Sequence, residues 1–272
     1  MQEGYWVVRT YEAGAVGEKT KFWVCGSRPS GASRRKEKAE IKKQEQNEYS
    51  ALKQMARLMN ANYTSGDLLL GLDYSDAGIE HIVSYAKSIG MDPDLAADEA
   101  ERLQIIYEAA EHEMRLCLRR VNRELSKDEA ALRYIAITSD MDGDTGEQVR
   151  VHHHLVVPAD VGPLFVKKWE TLGTVDWTPL KVQADYTPIA EYFIRQVRRI
   201  PDAKKFVSSR NLVRPRPKDR VVNSDAELRA PRGSKLLFRS EFRSGKQPRY
   251  IRYTIPVKAS SGYADDPPLA CI

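Results

Sequence analysis

The sequence predicts an α+β fold whose centre is a ferredoxin-like antiparallel sheet, βαββαβ, with helices packed on one face. Two observations predict it. From residue 67 onward, apolar β-rich runs and amphipathic stretches follow one another as strand, helix, strand, strand, helix, strand and a last helix. Between the second and third strands, Asp142-Gly143 supplies the turn signal of a hairpin.

A hairpin, a basic segment and a helix precede this unit. Residues 5–8 and 21–25 are β-rich runs separated by a polar turn that contains glycine. Residues 26–38, rich in Gly, Ser, Arg and Pro, predict a loop, and apolar residues at helical spacing predict a helix over 39–60. We therefore expect a first domain over residues 1–60.

The central unit is expected over residues 61–217, and a basic C-terminal extension over 218–272. Asp92-Pro93 is a helix start signal, and Gly173 ends a helix. The predicted elements of the central unit are a strand at 67–74, helices at 76–88 and 95–125, strands at 133–139 and 148–157, a helix at 162–172, a strand at 175–184 and a helix at 187–200. In the extension, 235–242 and 249–255 could be short strands.

Charge is unevenly distributed along the chain, although the net charge is only +5. Residues 28–43 hold seven Lys or Arg against two acids, and residues 195–220 hold ten against two. Residues 73–147 hold eighteen acids against eight bases. Separate basic stretches favour a polyanion partner such as nucleic acid, although solvated helix faces remain the alternative.

Several classes of protein do not fit the sequence. The start of the chain has neither a basic nor an apolar region of a signal peptide, and the apolar run at 68–72 is too short to cross a bilayer. Cys25, Cys117 and Cys271 are odd in number and widely spaced, which fits no disulfide framework and no zinc spacing. We expect a cytoplasmic protein that makes no membrane contact.

Three consecutive histidines form the sharpest motif in the chain. His152, His153 and His154 lie inside the β-rich run at 148–157. Because a strand alternates faces, His152 and His154 point to one side and His153 to the other. Two imidazoles on one strand face can hold a divalent metal, so we expect His153→Leu to be tolerated. The alternative is a pair of half-buried polar side chains.

A tyrosine on the last helix of the unit is the second candidate. Tyr192 lies at the margin of the apolar stripe of this helix, and Arg195 follows one turn later. A tyrosine hydroxyl can attack a phosphodiester when a metal polarises the phosphate and cations bind its oxygens. An ordinary amphipathic-helix tyrosine is the alternative, and Tyr186 is the nearest rival nucleophile.

Together these motifs resemble the HUH endonucleases, specifically the rolling-circle replication initiators of phages and plasmids. That family carries an apolar strand, a His-hydrophobe-His strand and a helix with Tyr-x-x-Lys, in this order. The corresponding segments here are 67–74, 152–154 and 192–195. The run at 206–215, with Arg-Asn-Leu before a proline, also looks like the replication-associated subgroup from bacterial elements.

The resemblance implies an origin-nicking endonuclease that joins Tyr192 to the 5′ phosphate of the cut strand. His152 and His154 would bind Mg²⁺ or Mn²⁺, and Arg195 would help to neutralise the phosphate. The partners would be single-stranded or hairpin origin DNA, a separate helicase and a host polymerase. The DNA would be held by basic residues after the nucleophile, which are Arg198, Arg199, Lys204, Lys205, Arg210, Arg214 and Arg216.

The sequence departs from the family at three points. His153 replaces the apolar centre of the histidine motif, and Arg195 replaces the lysine, keeping its charge but not its ability to donate a proton. Ser139 lies about where the family's third ligand, a glutamate, is sought. We take Asp140 as the third ligand, with Asp67 and Asp73 as rivals.

Other functions remain possible at this stage. An HUH-type transposase keeps the same motif order, and a DNA-binding repressor with a structural histidine strand is the alternative that is not an enzyme. A tyrosine recombinase is excluded because no arginine follows any of the three histidines at the third position. The chain contains no Gly-x-x-x-x-Gly-Lys-Ser/Thr motif, so no P-loop helicase is fused to it.

Overall fold

The computed structural model describes residues 4–25, 36–198, 204–223, 226–240 and 249–256. It confirms the α+β class. The described strands are β1 (Gly4–Ala13), β2 (Val16–Cys25), β3 (Leu68–Tyr74), β4 (Ile135–Met141), β5 (Gln148–Val157), β6 (Gly173–Pro179), β7 (Val207–Ser208), β8 (Lys218–Val222), β9 (Leu236–Ser240) and β10 (Arg249–Thr254). The α-helices are α1 (Lys36–Asn62), α2 (Asp76–Ser88), α3 (Glu99–Leu125), α4 (Gly162–Trp169) and α5 (Thr187–Gln196). Within the described ranges, no helix has the length and apolar character needed to cross a bilayer.

The chain forms two units whose boundaries differ from the expected domains. One unit combines residues 1–26 with 217–272, and the other contains residues 27–216. Helix α1 belongs to the second unit because its apolar residues, such as Met55 and Met59, share a core with Phe193 of α5. The N-terminal hairpin and the C-terminal extension are therefore parts of one unit and not separate additions.

The smaller unit is built on a five-stranded antiparallel sheet in the order β8-β1-β2-β10-β9. Leu228, Ile251 and Tyr253 form its small buried cluster. The ammonium groups of Lys19 and Lys21 donate to the backbone carbonyls of Arg229, at 3.0 Å, and Ala226, at 2.7 Å. These bonds fasten the segment before β9 onto one face of the sheet.

The larger unit contains a second five-stranded antiparallel sheet, in the order β6-β3-β5-β4-β7. Its helices cover both faces, so the expectation of helices on one face was wrong. Ala136 and Leu155 pack with α2, α3 and α4, whereas Ile135, Ile137 and Val156 pack with α1 and α5. Because β4 and β5 bury consecutive apolar residues, both of their faces need a covering layer.

Helix α5 is fixed at its start by polar contacts with α1. The backbone N–H of Tyr186 donates to Oδ1 of Asn60 at 2.7 Å, and Nδ2 of Asn60 donates to Asp185 at 3.2 Å. Asp185 also accepts from the backbone N–H of Thr187 at 2.9 Å, which satisfies one of the free donors at the helix start. This anchorage sets where the rest of α5 meets the sheet.

Candidate active site

The three histidines of β5 divide between the two faces of the sheet as strand alternation predicts. The ring of His154 lies 5.7 Å from the ring of Phe193 on α5, and the rings of His152 and His154 are 4.9 Å apart. His153 faces the other helical layer, where its ring lies 5.6 Å from that of Trp169. The structure therefore brings His152 and His154 together beneath α5 and separates them from His153.

Tyr192 reaches the same place from α5. Its half-buried ring meets the ring of His154 edge-on, with 5.7 Å between the centroids. Arg195 follows on the same helix and is exposed. The rival Tyr186 is buried, and its hydroxyl donates to the backbone carbonyl of Lys181 at 3.3 Å. Of these two tyrosines, Tyr192 is the one in contact with the histidine pair.

Gln196 completes the cluster, and the sequence analysis missed it. Its side chain is buried, with 1% of the residue exposed. Its Oε1 lies 2.9 Å from Nε2 of His154 and 3.4 Å from Nε2 of His152. The signal in the sequence was its spacing: Gln196 follows Tyr192 by four residues, which places both on one side of a helix.

Hydrogen bonding places the protons of the two imidazoles on different ring nitrogens. Nδ1 of His152 lies 2.9 Å from the carbonyl oxygen of Arg150, which can only accept, so this nitrogen carries the proton and Nε2 keeps its lone pair. Histidines that bind metals commonly donate their second N–H in this way. Burial, with a smaller contribution from the charge of His152, lowers the pKa of His154 to about 4, so its ring is neutral at neutral pH. Its Nε2 lies 2.9 Å from Oε1 of Gln196, which can only accept, so Nε2 carries the proton here, and binding a cation at this nitrogen requires the tautomer with the proton on Nδ1.

Two imidazoles and one amide oxygen are the side-chain groups that could hold a divalent cation here. Within the described residues, no three His, Cys, Asp or Glu side chains are grouped to hold a metal ion. Gln196 lies outside that set of residue types, yet its Oε1 faces both Nε2 atoms, and its buried Nε2 has no hydrogen-bond partner in the described part of the chain. Buried polar atoms are rarely left unpaired, and this amide nitrogen is one of the exceptions among the described residues.

Asp140, our expected third ligand, lies elsewhere, and that assignment is corrected. Its buried carboxylate accepts from Nε of Arg198 at 2.9 and 2.8 Å, and Arg198 lies over the ring of Tyr107 on α3. Alternation along β4 turns the neighbouring Ser139 toward α5 instead. The Ser139 hydroxyl donates to the backbone carbonyl of Gln196 at 2.8 Å, so it positions the end of α5.

The two rival carboxylates occupy different positions. Asp67 accepts a hydrogen bond from the backbone N–H of Thr64 at 2.7 Å, at the opposite end of β3 from the histidines. Asp73 lies directly across from His152 in the β3–β5 register, and it is exposed. Asp73 therefore shares the face of the histidine pair and borders the site without adding to the three donors.

The expected DNA-binding residues differ in their accessibility. Arg198 is held by Asp140, and Lys205 is buried, with its ammonium donating to the carbonyl of Arg198 at 2.8 Å. These two side chains are structural, which corrects their assignment. Arg199 lies outside the described residues. The exposed members of the set are Lys204, Arg210, Arg214 and Arg216.

His153 is a fully buried part of a hydrogen-bonded network. Its Nδ1 lies 3.0 Å from Oγ1 of Thr138, and its Nε2 lies 3.0 Å from the hydroxyl of Tyr74. Burial, reinforced by the charges of His152 and His154, lowers the pKa of His153 to about 3. Leucine at this position would remove one partner from each of two buried hydroxyls, so we expect His153→Leu to lower stability although it lies away from the histidine pair.

Comparison with known proteins adds no relative to this description. No protein-family model, curated protein or solved structure matches the chain. The resemblance to the HUH endonucleases therefore depends on the residues themselves. His152, His154 and Tyr192 carry it, and function has to be argued from the site that they form with Gln196.

Proposed function

We propose that the protein is a metal-dependent single-stranded DNA endonuclease and strand transferase that nicks a replication origin and starts rolling-circle replication. One observation carries the proposal. The ring of Tyr192 contacts His154, whose Nε2 shares Oε1 of Gln196 with Nε2 of His152. A potential nucleophile and a potential cation site thus lie next to each other on one face of the sheet.

The cation would be Mg²⁺ or Mn²⁺, held by His152, His154 and Gln196. A cation bound there supplies Lewis-acid polarisation of the scissile phosphate. The three side chains come from two elements, β5 and α5, so the bonds that fix α5 also fix the geometry of the donors. Ser139 contributes to this by binding the Gln196 carbonyl.

Tyr192 is the nucleophile in this proposal. Its hydroxyl oxygen forms a bond to the phosphorus, and the bond from phosphorus to the 3′ oxygen breaks. The phenolic proton leaves to water, and the released 3′ oxygen takes up a proton to become a hydroxyl. The products are a 5′-phosphotyrosine and a free 3′ hydroxyl that can prime synthesis. Reversal with a different 3′ hydroxyl transfers the strand.

Arg195 is suited to bind the phosphate while this exchange takes place. It is exposed, and it lies three residues after Tyr192, hence on the same side of α5. A guanidinium binds phosphate oxygens through a planar fork and keeps its charge throughout. It cannot donate the proton that the 3′ oxygen needs, so that proton comes from another source.

A nicking assay with Tyr192→Phe tests the proposal. The substrate is a pool of random single-stranded oligonucleotides that carry one label at the 5′ end and a different label at the 3′ end. The pool is incubated with the protein and Mn²⁺, and the reaction is stopped with detergent. We expect wild type to retain the 3′-labelled fragment covalently and to release the 5′-labelled fragment. Tyr192→Phe should give neither product while binding the pool as wild type does, because the ring contact with His154 survives.

Tyr186→Phe is the matched control, since it removes a hydroxyl from the same helix region without touching the histidine pair. It should nick at the wild-type rate. Binding without cleavage by wild type, at any Mn²⁺ or Mg²⁺ concentration, would support a DNA-binding repressor and overturn the proposal. If the protein cleaved and joined only oligonucleotides that carry the end sequences of a mobile element, an HUH-type transposase would be favoured.

A further inference from the structure

The second half of α3 carries a line of arginines that the proposed site does not use. Arg115, Arg119 and Arg123 are all exposed and follow one another at intervals of four residues. This spacing places them on one side of the helix, about 6 Å apart along its axis. They lie within residues 73–147, where acids outnumber bases, so a count of charges along the sequence does not reveal them.

Two grooves place these arginines opposite the segment that follows α5. A groove of about 600 Å³ is lined by Arg115, Arg119, Arg123 and, from the other wall, Arg210. A groove of about 890 Å³ is lined by Arg115, Lys204, Arg210 and Arg214, among others. The two grooves share Arg115, Leu118, Tyr134 and Arg210, so they form one continuous channel, which we call the β7-edge groove.

The charge of the β7-edge groove is of one sign. Among the described residues that line it, there is no aspartate or glutamate. Arg115 also donates to Glu111 at 2.8 Å, one turn earlier on α3. The helix dipole favours cations only near the last turn, and Arg115 lies ten residues before Leu125, so the dipole does not account for this arginine.

We propose that the β7-edge groove holds the phosphate backbone of single-stranded DNA that flanks the nick. Grooves with cationic walls and aromatic side chains in the lining are the usual means of binding a single strand without sequence preference. Here the cations occupy both walls, and the half-buried rings of Tyr134 and Phe206 lie between them. This combination favours a single strand over a duplex, whose bases are not available for stacking.

The groove borders the sheet that carries the candidate active site. β7 pairs with β4, and β4 pairs with β5, which carries His152 and His154. Two strand spacings correspond to about 10 Å across the sheet, a distance that a few nucleotides span. The inference rests on the proposed function only in taking the substrate strand as the ligand of the groove.

The test compares Arg119→Gln/Arg123→Gln with the control Arg102→Gln/Lys87→Gln, which removes the same charge. Both control residues are exposed, neither lines the groove, and each forms a surface ion pair that contributes little to stability. All variants also carry Tyr192→Phe, so binding is measured without cleavage. Fluorescence anisotropy with an oligo-dT strand and with a duplex of equal length is recorded at several salt concentrations.

We expect the groove variant to lower the slope of log affinity against log salt by about 1.4 for oligo-dT, at about 0.7 per phosphate contact. The control should keep the wild-type slope. Equal slopes for wild type and groove variant, or equal losses in both variants, would overturn the inference. Tighter binding of the duplex than of oligo-dT would also overturn the inference. The same holds if polyglutamate of equal total charge displaced oligo-dT. If the groove variant changed the salt slope but the protein with intact Tyr192 did not nick DNA, the groove would still bind single-stranded DNA and the proposed function would be wrong.

Discussion

On one face of β5, His153 has both ring nitrogens within 3.0 Å of protein hydroxyls, from Thr138 and Tyr74. On the other face, His152 and His154 both direct Nε2 at the single amide of Gln196. All three residues are histidines of the same strand, so only their surroundings differ. The first face satisfies its histidine completely. On the second face, Nε2 of His154 donates to the Gln196 oxygen at 2.9 Å, whereas Nε2 of His152 lies 3.4 Å from that oxygen and keeps its lone pair.

This difference separates a structural histidine from the pair that we propose to be functional. A buried polar group that is fully hydrogen-bonded adds order to the core and has no capacity left for a ligand. On the other face, Nε2 of His152 keeps a lone pair for a ligand, and the ring of Tyr192 lies against the neighbouring His154. Substitutions on the two faces should therefore change different quantities: stability on one, and metal-dependent chemistry on the other.

The largest expected effect comes from His152→Ala and His154→Ala. Each change removes one of three donors, and we expect nicking to fall by about 100-fold or more, since even outer partners of a metal ligand are worth 10- to 100-fold. Initial nicking rates over a Mn²⁺ titration measure this, with circular dichroism as the check on folding. Equal loss of nicking from His153→Leu would contradict the division between faces.

Gln196→Ala should raise the Mn²⁺ concentration for half-maximal nicking by about 10-fold or more, because the amide oxygen is the third donor. Gln196→Glu should restore it, since a carboxylate oxygen suits Mg²⁺ and Mn²⁺ at least as well. Asp140→Asn is the matched control, because Asp140 serves Arg198 and not the histidines. If Asp140→Asn moved the half-maximal Mn²⁺ concentration and Gln196→Ala did not, the corrected ligand set would be wrong.

The smallest effect is expected from His153→Leu, which should lower the free energy of unfolding by about 1–3 kcal/mol by removing a hydrogen-bond partner from the buried hydroxyls of Thr138 and Tyr74. Nicking per folded molecule should stay near the wild-type rate. Urea unfolding of His153→Leu, Thr138→Val and the double variant measures the coupling. Additive losses would show that the hydrogen bond between His153 and Thr138 contributes nothing.

Much of the fold could be predicted from local sequence signals. The bounds of α2 and β5 agree with prediction, because Ser75 caps α2, with its hydroxyl accepting from Gly78 N–H at 3.1 Å, and because the Asp142-Gly143 turn precedes β5. The short β7 was not predicted. The pairing of β1 with β8, more than 200 residues apart, has no local signal either, since strand pairing depends on tertiary structure.

The candidate site shows the same limit. Strand alternation was enough to separate His153 from its neighbours, and helix position was enough to select Tyr192. Burial was not predictable: Asp140 and Lys205 look like exposed charges in the sequence, yet both are buried in the structure. Gln196 is a residue type with no charge to attract notice, and its role follows only from its distance to the histidines.

The account depends most directly on which tyrosine joins the DNA. Trypsin cleavage after Lys181 and Arg195 gives a peptide of residues 182–195 that contains both Tyr186 and Tyr192, so fragment-ion mass spectrometry of the nuclease-trimmed adduct must separate them. The account predicts that the residual nucleotide, joined through its 5′ phosphate, is on Tyr192 alone. A nucleotide on Tyr186 or on any other residue, or one joined through a 3′ phosphate, would contradict it.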